Sequence, residues 1–402
     1  MERLCKLVRW GILVLAVTWA GWEAFQAWQT GFHWPTTAAV DFPPLWAGAQ
    51  AIQGGENPTD PEILRRIMDE SGTRMHRGTL FSYYPPTASV LFLPLAHVGW
   101  RTSVLCLRWV LLGAVIGTAV LGAGSGSTPG HDRRSSWTAA MVACGLLLHL
   151  RLVPIVIRTG QVSPLVTLAM AAGLWALSRG WGRRAGVFLG LGAGLKLVPL
   201  LLLPVALVGR RWQPFLAAVG VFGLLALLAW WLCPDAPFLG EVGAFLDRGW
   251  FPEWGRQAAW IVFLWKIRFF LGIPTALVLM ALSFRHHSDA ILASAGMVIL
   301  AWVGTVMAGT PHYHEALLLT PVLAWIVAGP WHARPRWVGL GTAIAVLAIL
   351  WWTGALRHQG PRAGLEWVAG GSALWLASIL RLGMAWREEV ASNAPTGQLP
   401  DP

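Results

Sequence analysis

The sequence predicts an all-α, polytopic membrane protein, and three observations carry that prediction. Hydrophobic residues make up 55% of the 402 positions and charged residues only 12%, about half the charge of an ordinary soluble domain. The apolar residues fall into runs such as Leu7 to Trp22, Ala259 to Leu282 and Ile291 to Ala308, close to the roughly 18 to 25 residues that carry a helix across a bilayer core. Helix is the expected form because lipid offers an unpaired peptide group no partner. The chain also holds 27 Trp. Many of them, including Trp28, Trp34, Trp100, Trp181, Trp212 and Trp337, stand at the ends of apolar runs, where indole rings favour the headgroup zone.

The first element is read from Arg3, Lys6 and Arg9, which precede the first apolar run. No small-x-small cleavage site follows and the run continues to Trp28, so it is expected to be an uncleaved helix rather than a signal peptide. The positive-inside rule places the N-terminus in the cytoplasm and residues 30–84 outside. That outer loop holds Asp41, Glu56, Asp60, Glu62, Asp69 and Glu70 against four Arg, a net charge of −2 within a chain of +11. Inside it, Pro61 to Glu70 puts Ile63, Leu64, Ile67 and Met68 on one helical face, with Pro in a tolerated first-turn position. A short interfacial helix lying on the membrane surface is expected, with packing on other loops as the alternative.

Further spans are expected near 85–100, 102–123, 137–156, 161–179, 185–208, 213–233, 259–283, 290–309, 312–329, 337–354 and 364–386. With the first, that makes about twelve. Residues 234–257 form a second outer loop, residues 1–386 one membrane domain, and residues 387–402 a disordered tail. One conflict is visible. Arg183-Arg184 and Arg210-Arg211 are separated by a single expected span, so both pairs cannot be cytoplasmic unless a segment is short, re-entrant or misassigned.

The net charge of +11 does not point to nucleic acid, because the basic residues lie in short clusters at span ends. Cys5, Cys106, Cys144 and Cys233 stand singly, with neither CxxC spacing nor neighbouring His, which argues against a disulfide scaffold or zinc site. No metal is expected, and no cofactor.

Several residues carry chemical potential. Asp41, in Val40-Asp41-Phe42-Pro43-Pro44, falls just beyond the first span, where aromatic shielding suits a general base toward a hydroxyl. Asp before Phe-Pro-Pro is equally helix-capping chemistry. Lys196 lies within Gly190-Leu-Gly-Ala-Gly-Leu-Lys196-Leu-Val-Pro199, deep in its expected span. An ammonium there calls for a phosphate or a structural ion pair. The sequence lacks the Gly-Lys-Ser/Thr end of a nucleotide-binding loop. His312, His314 and Glu315 open another apolar segment. Their spacing suits donation to a phosphate better than zinc ligation, with interfacial histidine as the plain alternative. Gln161 follows Arg158 and Gly160 at a span boundary, and Tyr84 stands in Tyr83-Tyr84-Pro85-Pro86 where the outer loop re-enters the membrane; both are cleft candidates, with belt residues the alternative for Tyr84. His149, Arg151, Lys266 and Arg268 are further cations inside spans.

The order of these features resembles the polyprenyl-phosphate-mannose-dependent mannosyltransferases, glycosyltransferase family 87 of the GT-C superfamily. The matching elements are Asp41-Phe42, Gly55-Glu-Asn-Pro58, Tyr84-Pro85-Pro86, Gly160-Gln161 and the glycine-rich stretch ending in Lys196 and Pro199, with a weaker echo from His312 to Pro321. The chain departs from the pattern where Tyr is usual shortly after the Asp, since Leu45 and Trp46 stand there, and where Pro-Tyr-Asp is Pro58-Thr59-Asp60. The resemblance implies a GT-C fold with the catalytic base on the first outer loop, which maps onto Asp41. It implies a polyprenyl-phosphate sugar donor, a lipid or glycan acceptor, inversion at the sugar, and Lys196 with His312 or His314 receiving the departing phosphate. It also implies a multi-pass protein of the bacterial plasma membrane with its active site facing outward. A transporter or lipid flippase, and a noncatalytic partner in envelope glycan assembly, are the rival readings.

Overall fold

The computed structural model describes residues 2–33, 35, 36, 39–73, 84–125, 137, 140–145, 152–236, 272, 275, 288–307, 317, 319–328, 374–387 and 390. Among them, all regular structure is helical. The first helix is α1 (Glu2–Phe32), of 31 residues, about 46 Å long at 1.5 Å per residue. The acidic loop contains α2 (Pro43–Gln53) and α3 (Pro61–Glu70). Next come α4 (Pro86–Leu91), α5 (Leu93–Ala96) and the long α6 (Trp100–Ser125). The middle of the chain forms α7 (Leu152–Thr159), α8 (Ser163–Ser178) and α9 (Gly182–Leu195). A 3-10 turn (Val198–Leu202), α10 (Leu203–Val208) and α11 (Trp212–Leu232) follow, and then α12 (Asp289–Met307) and α13 (Leu319–Val327).

Among the described residues, α6 and α11 are long and apolar enough to cross a membrane, and the bent pair α7 and α8 adds a third candidate. The expected spans at 259–283 and 337–354, the outer stretch from 237 onward and the tail from 391 fall almost wholly outside the described residues. Within the described residues, several of the expected spans depart from a single straight crossing, for local reasons. The apolar run at 85–100 is two short helices, because Pro94 has no amide hydrogen to continue α4. The helices flanking Gly160 are bent by 117° relative to one another. The run at 185–208 breaks at Lys196, whose backbone is extended at φ −152 and ψ 145, and Pro199 and Pro204 confine the residues after it to a 3-10 turn and a short helix.

That break resolves the conflict between the two basic pairs. Gly186, Gly190 and Gly194 line one face of α9, and a Cβ on each would stand 2.2 Å from Pro214 O, 2.7 Å from Ala218 O and 2.6 Å from Leu225 Cδ1. Contacts that climb together along both helices make α9 and α11 parallel, their backbones brought close by the missing side chains. Gly173 meets Leu189 while Gly192 meets Ala169, so α8 and α9 are antiparallel. Residues 182–208 thus form a hairpin that rises along α11 and returns to the end it left. Its tip lies near Leu225, roughly 10 Å short of the end of α11 at the helical rise. Arg183-Arg184 and Arg210-Arg211 lie at one end, held there by Arg211 Nε against Asp289 Oδ1 at 2.7 Å.

The acidic loop lies at the other end. Cys233 Sγ, closing α11, donates to Glu56 O at 3.4 Å. In α3, Leu64 and Met68 are fully buried within the protein core, which corrects the expectation of a helix lying on lipid. Its stripe packs toward α2, while Arg65, Arg66, Asp69 and Glu70 stay exposed. The Arg66 guanidinium hydrogen-bonds Glu56, and the carboxylate's bond and charge hold it above its usual range. Beneath α2, Phe42 stacks on Trp100 at 5.6 Å and Trp46 Nε1 donates to Leu95 O at 3.2 Å. Gly48 lies so close to Ser89 that a Cβ would come within 2.5 Å of its Oγ. The acidic loop is therefore seated on α4 to α6 by aromatic packing.

Candidate active site

The site is built around the end of α7. That helix stops at Thr159 because Gly160 takes a left-handed φ of 72, and Gln161 N bonds back to Val156 O at 3.1 Å. This is a Schellman closure, which glycine reaches without a Cβ penalty. Two carbonyls of the last turn remain for outside donors. Asp41 N takes Thr159 O at 2.9 Å, and Arg108 Nη2 reaches Arg158 O at 3.4 Å and Pro35 O at 3.3 Å. A Cβ on Gly160 would stand 2.8 Å from Phe42 Cβ. The segment bearing Asp41 is thus laid directly on the turn that carries Gln161.

Asp41 as a residue is half-buried. The alternative of a helix cap fails, because the N-cap of α2 is Phe42 and no side chain caps it. Asp60 does perform that task for α3, accepting from Glu62 N at 2.8 Å and Ile63 N at 3.4 Å.

Opposite the turn, Tyr84 Oη donates to Gln161 Oε1 at 2.6 Å in a buried contact. Lys196 Nζ lies 5.6 Å from the centroid of the same Tyr84 ring and donates to Ser163 Oγ at 3.0 Å. Thr87 Oγ1 caps the last turn of α9 by donating to Gly194 O at 2.7 Å. Lys196 therefore sits at the hairpin tip rather than in the middle of a continuous span, with its ammonium over an aromatic face and against a hydroxyl. Asp41, Tyr84, Gln161 and Lys196 are gathered at one end of the helices through these links. His312, His314 and Glu315 lie outside the described residues. Among the described residues, no group of three or more His, Cys, Asp and Glu is placed to hold a metal ion.

Two participants were missed in the sequence. Ser163 is fully buried at the start of α8, and the only signal for it was its position before Pro164 at a helix start. Arg108 is 1% exposed, and as a lone cation in an apolar run it was an intramembrane functional candidate by default.

The model of glycosyltransferase family 87 matches residues 81–327 of the chain. The chain belongs to that family. The family 87 match contains Tyr84, Gln161, Lys196, His312 and His314, whereas Asp41 lies before its first residue. Among characterised relatives, the chain is 24% identical over 283 residues to the polyprenol-phosphate-mannose-dependent alpha-(1-2)-phosphatidylinositol pentamannoside mannosyltransferase of Mycolicibacterium smegmatis, covering 67% of each chain. It is 26% identical over 309 residues to the protein of the same name from Mycobacterium tuberculosis, covering 68% of each. Among solved structures, ArnT from Cupriavidus metallidurans bound to undecaprenyl phosphate aligns with a TM-score of 0.39 and 15% identity, over 96% of this chain and 79% of that one.

Proposed function

We propose that this family 87 protein transfers a hexose, with mannose the first to test, from a polyprenyl-phosphate sugar to a lipid or glycan acceptor, inverting the anomeric centre. The observation that carries the reading is that Asp41, which caps nothing, is tied by its own backbone to the turn bearing Gln161, across which Tyr84 and Lys196 converge. Asp41 takes the proton of the acceptor hydroxyl as that oxygen attacks the anomeric carbon. The bond to phosphate breaks, and the phosphate keeps the electron pair. Lys196 stabilises its charge from the hairpin tip, a task that the reading assigns to His312 or His314 as well. Phosphate is already a good leaving group, so no nucleotide and no second carboxylate are required. The named donor of both mycobacterial relatives, polyprenol-phosphate-mannose, supports this class of substrate.

The proposal includes a multi-pass protein of the bacterial plasma membrane, N-terminus inside and site outward. The five exposed arginines at 179, 183, 184, 210 and 211 at the end away from the acidic loop support that orientation. A flippase is the second reading, because the helix broken at Lys196 is a feature of transport sites too. Reconstitution with radiolabelled polyprenyl-phosphate mannose and a membrane acceptor fraction separates the two. Transfer by the wild type, falling about 10²- to 10⁴-fold in Asp41→Asn, supports catalysis. Movement of labelled lipid between leaflets without any transfer would replace it with the flippase.

A further inference from the structure

We infer that the end of the molecule opposite the acidic loop is a docking collar for anionic phospholipid headgroups. The hairpin fold creates it. Arg183 and Arg184 open α9, Arg210 and Arg211 close the return arm, and all four are exposed. The two pairs are brought to one rim by packing: a Cβ on Gly182 would stand 3.1 Å from Pro214 Cδ, and one on Gly180 3.4 Å from Asp289 Oδ2. Asp289, bridged to Arg211 at 2.7 Å, is the one carboxylate that the described contacts place there. Arg210 holds its place at a left-handed φ of 53, a conformation uncommon for a residue with a Cβ.

The neighbours of these arginines identify the occupant as a lipid rather than a soluble anion. Trp181 and Trp212, 42% and 58% exposed, stand beside them, and the Arg184 guanidinium lies 4.7 Å from the Trp181 ring centroid. Immediately above begin the exposed apolar faces of α9 and α11, at Val187 and Leu216. The charge thus lies at the height where hydrocarbon gives way to headgroups. A phosphodiester there meets guanidinium groups on one side and indoles on the other, and its acyl chains lie along the apolar faces. Basic residues next to a membrane attract anionic lipid in this way, each strengthening attachment several-fold.

The test uses the full chain in vesicles of phosphatidylcholine with about one-fifth phosphatidylglycerol, which gives a negative surface potential, followed by gentle detergent extraction and quantification of the lipid retained. The wild type is expected to hold phosphatidylglycerol several-fold above its share of the bilayer. Arg183→Gln, Arg184→Gln and Arg210→Gln combined should return it to the bulk ratio, and Lys at the same three positions should keep most of the enrichment while reporting on folding. Arg65→Gln with Arg101→Gln, which removes charge at the other end, should leave it unchanged. Retention at the bulk ratio by the wild type, or equal loss from the outer pair, overturns the collar.

Discussion

Asp41 and Asp60 share one loop and have opposite chemical situations. Asp60 spends its carboxylate on two backbone amides at the start of α3, whereas the α2 terminus next to Asp41 has no side-chain cap. Asp60→Ala should lower stability by about 1 kcal/mol in thermal unfolding while leaving transfer per folded molecule intact. A loss of turnover as large as that of Asp41→Asn would show that the roles have been exchanged. Lys196→Gln keeps a polar tip but removes the charge, and should slow transfer on the order of 10²-fold without altering the melting temperature. Turnover within twofold of wild type would dismiss Lys196 as the phosphate partner. Asp41 and Lys196 were legible as candidates because a carboxylate and an ammonium next to lipid are costly unless used. Ser163 was not, because a serine at a helix start is ordinary until the ammonium that bonds it is known.

Among the elements, the hairpin of α9 and its return arm decides the most. It depends on the glycine row of α9, which lets the backbone of α11 approach where any side chain would collide. Gly190→Val introduces a branched side chain 2.7 Å from Ala218 O and beside Val221. It should destabilise the protein by roughly 1 to 3 kcal/mol through overpacking, and should impair transfer indirectly by displacing Lys196. Gly220→Val, at a position with open space, is the control and should melt like the wild type. Equal effects of the two would mean that the row is not a packing surface. The composition of 185–208 shows an apolar stretch of membrane length, and nothing in its hydropathy separates a span from a hairpin. Pro199 and Pro204 were the local signs of a break, and the parallel partner α11 supplies the reason that the arm turns back.

For the whole molecule, charge asymmetry and hairpin topology give one testable geometry. Single cysteines at Arg183→Cys and Gln213→Cys should react with a membrane-impermeant thiol reagent from the same side, and Arg65→Cys from the opposite side, each above the background of the native cysteines. Opposite labelling of positions 183 and 213 would mean that residues 185–208 cross as one span. The acidic loop held over α4 to α6 by Phe42, Trp46 and Trp100 covers the end opposite these arginines.

Composition, with 55% hydrophobic and 12% charged residues, was enough to indicate a helical membrane protein, and the apolar runs located α6, α8, α11 and α12. It also marked Asp41, Tyr84, Gln161 and Lys196, because polar groups in apolar surroundings stand out by composition. The folded chain was needed to see that Asp41 is not a cap, that Leu64 and Met68 of α3 face protein, that Lys196 tops a hairpin, and that two distant arginine pairs share a rim. Each of those depends on contacts between residues far apart in the chain. Hydropathy and periodicity register what a segment must hide, and packing alone selects the neighbour that hides it.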